Sequence, residues 1–283
     1  MAVTSYLAAT APVERTPVSV INAPSIPDRG TRRAAWARWG ARHPALTEVG
    51  ILLATYVVYA IVRTAANDDM GQAQAMANAL LRMESATGLD VEADANAALV
   101  AIPWLATATA IWYVSLHYLV TVTLLVTLYR RFPLHYRPLR RGLLGATMTA
   151  LVFYVLMPTA PPRLMPEGYV DVVRETFLPG AAVPTGEREG LSALTNQLAA
   201  FPSMHAGWAL WAAIAIWVIT RSLWWRLGAA AYALVTAVVV VITANHWVID
   251  VIAGWAIVAL AYVVLRRARA GSGSPPASLP QHS

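Results

Sequence analysis

Apolar runs close to membrane-spanning length recur six times along this chain, at about 46–63, 102–128, 142–157, 205–220, 224–244 and 248–265. A helix needs about 20 apolar residues to cross the hydrocarbon layer. A chain inside that layer must also satisfy its own backbone hydrogen bonds. The expected fold class is therefore all-α and integral to the membrane, with six transmembrane helices. The composition agrees: of 283 residues, 58% are hydrophobic and 13% charged, which is more apolar than a soluble domain of this size. The third and fourth runs are short, so their ends are expected to extend into the flanking loops.

The rest of the chain divides around these runs. Residues 72–98 are amphipathic and too charged to span, which predicts a helix lying at the interface after span 1, then a turn at Gly88. The first ~40 residues are rich in Pro, Ala and Arg and hold no signal-peptide core. The end, GSGSPPASLPQHS, is similarly polar and flexible in composition. The expected organisation is a disordered cytoplasmic tail over 1–44, one membrane domain over 45–268, and a second disordered cytoplasmic tail over 269–283.

All 21 basic residues are Arg, and there is no Cys. Disulfides and thiolate metal sites are thereby excluded, and any phosphate clamp must use Arg or backbone N–H groups. The net charge of +6 does not point to nucleic acid, because the Arg residues cluster beside the apolar runs. They flank the N-terminal run (Arg29, Arg32, Arg33, Arg38, Arg42) and follow span 2 (Arg130, Arg131, Arg137, Arg140, Arg141). Others follow span 4 (Arg221, Arg226) and span 6 (Arg266, Arg267, Arg269). The alternate loops carry Asp68, Asp69, Glu84, Asp90, Glu92 and Asp94, then Glu167, Asp171, Glu175, Glu187 and Glu189. The positive-inside rule then places both termini in the cytoplasm. The Lys-free, Ala- and Arg-rich usage points to a GC-rich genome, and the expected location is the plasma membrane of a bacterium.

Three polar intrusions fall on the opposite, extracytoplasmic side: APPRLMP at 160–166, FPSMHAGW at 201–208 and NHWVID at 245–250. His246 and Asp250 are spaced i, i+4 and share a helix face. A carboxylate there can take the imidazole Nδ1–H and leave Nε2 free as nucleophile or base. An Asp inside a membrane helix costs about 2.5–3.5 kcal/mol, so it needs a partner. The same pair could equally be a structural contact at a helix end. His205 could act as a general acid or simply meet water and headgroups at the interface. Ser203 could hold a phosphoryl oxygen or cap the helix that begins beside it, and the two roles are compatible. Arg163 has a planar fork suited to phosphate, held in a Pro-stiffened loop, and would also suit any lipid phosphate nearby. His117, deep in span 2, reads as well as a packing residue as a functional one.

PSMH, followed about 40 residues later by HWVID and preceded by a proline-flanked Arg, resembles the type 2 phosphatidic acid phosphatase superfamily, over about 70–266. PSMH keeps Pro202, Ser203 and His205 but has Met204 where the family has Gly, and HWVID keeps His246 and Asp250. The family's Ser-Arg before the second His falls on Val239 and Val240, and its Lys before Arg163 falls on Leu156. Arg174 and Arg188 are the candidates to replace those cations. These departures, with His117 and Tyr118 in span 2, are similar to the inositolphosphotransferase branch, the relatives of inositol phosphorylceramide synthase. The resemblance implies that His246 attacks a lipid phosphate to form a phosphohistidine, Asp250 orients it, and His205 protonates the leaving alkoxide. Ser203 and Arg163 then bind the phosphate, and water or an inositol-like alcohol accepts it, with no metal or other cofactor. The expected partners are a lipid phosphate and the bilayer, with no nucleic acid, and oligomeric state is left open. Two other classes compete: a His/His/Asp metal site, and a non-enzymatic transporter or scaffold, which would place polar residues near the midplane of broken helices.

Overall fold

The computed structural model describes residues 42–65, 69–166, 168–179 and 198–271. Most of the two expected disordered tails lies outside these residues, as does Arg188. Among the described residues every regular element is helical: α1 (Pro44–Ala65), α2 (Met70–Thr87), α3 (Glu92–Val100), α4 (Pro103–Arg131), α5 (Pro133–Leu156), α6 (Val172–Phe177), α7 (Met204–Ile219), α8 (Leu223–Ile242) and α9 (Val248–Gly271). The chain divides into two compact units, Met1–Ala54 and Thr55–Ser283. The described part of the first is the start of α1; the second carries everything discussed below.

Among the described residues, five helices are long and apolar enough to cross a membrane: Pro44–Val62, Pro103–Arg131, Pro133–Leu156, Leu223–Ile242 and Val248–Ala268. The protein is an integral membrane protein. The sixth apolar helix, α7, has 16 residues, a rise of about 24 Å against the roughly 30 Å of a hydrocarbon core.

The boundary between α4 and α5 differs from the expected Arg-rich loop. Only Phe132 separates the two helices, and Pro133 opens the second, at the position where its missing N–H costs nothing. Arg137, Arg140 and Arg141 therefore lie in the first turns of α5. Arg140 is buried, with its guanidinium carbon 5.6 Å from the Tyr136 ring centre. Arg has high helix propensity and a long apolar stem, so a basic stretch can extend a membrane helix instead of ending it.

The main core joins α4, α5, α7 and α9 through Leu128, Leu143, Tyr154, Trp211 and Val258. Indole N–H groups cross-link the bundle: Trp211 Nε1 donates to the Leu139 carbonyl at 2.9 Å, and Trp208 Nε1 donates to Thr147 Oγ1 at 3.1 Å. In a hydrocarbon setting such bonds, together with close backbone packing, supply the cohesion that the hydrophobic effect no longer gives. At Gly254 of α9 the backbones approach closely, since a Cβ there would collide with the Ser203 carbonyl.

Where the sequence led us to expect one helix, the segment folds as two, α2 and α3. Asp69 caps α2, its carboxylate accepting from Gln72 N at 3.1 Å. Gly88 ends it at φ 71°, in the left-handed region where Gly is favoured. The chain then turns into α3. Ala73, Ala77, Leu80 and Glu84 form the buried stripe of α2, and Glu92, Asn96 and Leu99 that of α3. Asn96 joins three segments: its Nδ2 donates to the carbonyls of Val170 (3.1 Å) and Ile242 (2.9 Å), and its Oδ1 accepts from Val170 N at 2.8 Å.

Candidate active site

The turn between α8 and α9 carries His246. Ala244 sits there at φ 56°, and the Val240 carbonyl accepts the backbone N–H of both Asn245 (3.1 Å) and His246 (3.0 Å). This ties the imidazole to the end of α8 at the position where the resemblance would have put an Arg. Val240 is instead fully buried among Ala206, Val241 and Val251. The other expected cation position, Leu156, is an exposed residue at the end of α5.

His246 Nδ1 lies 2.9 Å from the Ala200 carbonyl and 3.4 Å from Asp250 Oδ2. Both partners only accept, so Nδ1 carries a proton, and in the neutral ring Nε2 holds the lone pair. The spacing of His246 and Asp250 on one face is as the sequence implied, but the shorter bond goes to a backbone carbonyl that no motif contains. Ala200 is itself held by a short parallel pairing: Thr159 N donates to Leu198 O at 2.8 Å, and Ala200 N donates to Thr159 O at 3.2 Å. Asp250 is fully buried, and its Oδ2 also accepts from Trp247 N at 2.9 Å.

His205 occupies the first turn of α7, its ring centre 5.6 Å from that of His246. Tyr113 stacks on it at 4.3 Å, and His117 meets it edge-on at 4.2 Å. These two contacts lie about 15 and 21 Å of helical rise from the start of α4, so the site is recessed inside the bundle. Periodicity along α4 could place His117 deep in the helix but could not show that α7 begins at the same depth. Ser203 is the N-cap of α7, with Oγ accepting from Ala206 N at 3.4 Å, and its backbone N–H donates to the Asp250 carbonyl at 2.9 Å. The cap reading of Ser203 is thus realised, and the bond to Asp250 joins PSMH to HWVID directly.

Arg163 arrives from the short 3-10 turn Pro162–Leu164, whose backbone is pinned by Arg163 N donating to Ala244 O at 2.9 Å. Its guanidinium donates from Nη1 to Asn245 Oδ1 at 2.7 Å and pairs through Nε with Asp171 Oδ2 at 3.3 Å. Asn245 and Asp171 were not read as site residues. Asn245 had a signal in its place beside His246; Asp171 had none. Arg174 lies in the last turn of α6, whose first turn Asp171 caps. Among the described residues, no three His, Cys, Asp or Glu side chains gather in a metal-ligating group.

The three polar intrusions therefore meet, bonded to one another through Ser203–Asp250, Ala200–His246 and Arg163–Asn245. A family model of the PAP2 superfamily matches residues 78–264. The chain belongs to the PAP2 superfamily. No curated protein and no solved structure matches it. The matched PAP2 region runs from the middle of α2 to the last turns of α9 and holds every site residue named above. Membership points to phosphatase or phosphotransferase activity on a lipid phosphate in the membrane.

Proposed function

We propose that this PAP2 protein transfers the phosphoryl or phospho-headgroup of a lipid phosphate to water or to an inositol-like alcohol through a phosphohistidine on His246. The observation that carries the reading is the Nδ1 contact of His246 with Ala200 O and Asp250, which makes Nε2 the lone-pair nitrogen of the neutral ring, with His205 close by.

In the first half-reaction, the Nε2 lone pair attacks phosphorus and the P–O bond to the lipid alcohol breaks. Protonated His205 gives its proton to the departing oxygen. In the second, water or the alcohol attacks phosphorus, neutral His205 takes its proton, and the P–N bond breaks to restore His246. Asp250 stabilises the positive imidazole that forms along the way. The Arg163 guanidinium and the N-terminal N–H groups of α7, with Ser203, complement the negative equatorial oxygens, where electrostatic preorganisation matters most.

The same reading takes α7 as span 4, which completes six spans, with α2 and α3 as interfacial helices, both termini cytoplasmic, and the site extracytoplasmic. The apolar composition and short length of α7 fit a helix that starts at a recessed site. The departures at Val240 and Leu156 favour the inositolphosphotransferase branch.

Purified protein should release phosphate, or transfer the headgroup when myo-inositol is added, from at least one of a panel of lipid phosphates. His246→Ala should abolish turnover and phosphoenzyme together. Turnover that persists in His246→Ala would sink the assignment.

A further inference from the structure

Two glutamates from the α2–α3 hairpin reach the start of α9 and take its first backbone donors. Glu84 Oε1 accepts from Ile249 N at 2.7 Å, and Glu92 Oε1 accepts from Val248 N at 2.9 Å. With Asp250 on Trp247 N, three consecutive N–H groups of the helix start each end on a carboxylate, where four such groups lack intrahelical partners. Both glutamates are essentially buried, with exposures of 0% and 1%. Each keeps a second oxygen, Oε2, that is buried and has no donor. The two side chains lie within hydrogen-bonding reach of each other. Two carboxylates so placed cannot both stay charged cheaply, and a proton held between them removes one of the two charges.

We propose that Glu84 and Glu92 form a carboxyl pair sharing one proton, and that this pair is a positioning element for the His246–Asp250 couple, fixing the backbone of the turn from which both side chains project. The role in catalysis rests on the phosphotransfer reading above; the shared proton and the backbone clamp do not. Loss of the proton would set a second negative charge against the first and against Asp250 and loosen the turn. The groups facing the pair are Asp250 from α9 and the Tyr169 phenol from the 168–171 loop. Tyr169 is pushed up to about 12, by burial first and then by Glu92, Glu84 and Asp90, so it stays neutral while Glu84 titrates. Glu84 is pushed up to about 8, which places loss of the shared proton at mildly alkaline pH.

The test uses the full-length protein and a lipid phosphate it turns over. Glu84→Ala and Glu92→Ala should lower kcat about 10- to 100-fold, the range for a small misplacement of reacting groups, while KM stays close to wild type. Glu84→Gln keeps an acceptor for Ile249 N and a donor for Glu92, so it should recover most of that loss and abolish the fall in kcat above pH 8. Two readouts need no turnover. Infrared spectra at pH 7 should show a protonated carboxylic acid that survives Asp250→Asn and is lost in Glu84→Gln. Hydrogen exchange over 246–250 should speed up in Glu84→Ala. Folded Ala variants with wild-type kcat, or a wild-type spectrum without the protonated acid, would overturn the proposal. A wild type inactive on every lipid phosphate would count against the phosphotransfer reading instead, and the infrared and exchange results would still decide the pair.

Discussion

The carbonyl of Ala200 and the Nδ1 of His246 stand 2.9 Å apart, closer than Asp250 approaches the same nitrogen at 3.4 Å. The imidazole tautomer is therefore set by the backbone as well as by the carboxylate. In a Ser-His-Asp triad, replacing the Asp by Asn costs about 10⁴ in kcat, because the tautomer is lost. Asp250→Asn should cost clearly less than that here, since Ala200 still accepts the Nδ1 proton and only the charge on Asp250 is removed. Steady-state kcat on a lipid phosphate measures it, and a loss of 10⁴ or more would mean that Asp250 alone controls the ring.

His205 should show its role through the leaving group. General acid catalysis contributes about 10²–10⁴-fold, and most of it is needed when an alkyl oxygen departs. His205→Ala should lose that factor in phosphoenzyme formation from a lipid phosphate and far less from p-nitrophenyl phosphate, whose phenolate leaves without a proton. Equal losses on both substrates would rule out the acid role.

Gly254 should tolerate no side chain. Its missing Cβ is what lets α9 lie against the Ser203 carbonyl, and forcing a methyl group into such a contact costs about 1–3 kcal/mol. Gly254→Ala should lower the thermal midpoint in detergent and reduce activity by shifting the start of α7. Gly228→Ala, with nothing within 4 Å, should leave the midpoint unchanged or raise it.

The stability contribution of Glu84 should fall as pH rises. Its folded value is about 8 against an ordinary 4.5, raised chiefly by burial, opposed by the Ile249 N–H, and raised further by Glu92 and Asp250. Between those values the folded chain binds the proton that the unfolded chain has released, so stability drops with increasing pH and levels off above 8. Tyr169, titrating near 12, does not interfere. The difference in thermal midpoint between wild type and Glu84→Gln should shrink from pH 5 to about pH 8.5; a difference that grows would contradict the sign.

Orientation is tested with single Cys residues in this Cys-free chain. Cys at 185 should react with an impermeant maleimide on intact cells, and Cys at 135 should not. The opposite pattern would invert the topology.

The sequence by itself determined that the chain is a helical membrane protein, because stretches of apolar residues near membrane-spanning length have few other stable states. It also singled out His205, His246, Asp250, Ser203 and Arg163, since polar residues at the ends of apolar runs are costly unless used. Gly88 was legible as a turn because a left-handed helix end favours glycine. The tertiary structure alone decided the partners. Ala200 holds His246 through a backbone carbonyl, which has no residue signature. His117 touches His205 only because α7 starts deep beside α4, a relation between two helices that neither one's periodicity contains. Glu84 and Glu92 read in the sequence only as acidic residues of the amphipathic 72–98 stretch expected at the interface. Their place on the buried stripes Ala73–Ala77–Leu80–Glu84 and Glu92–Asn96–Leu99 emerged only with the fold. What they serve is the helix start more than 150 residues away, and the unpaired N–H groups there acquire carboxylate partners only when the hairpin folds over them.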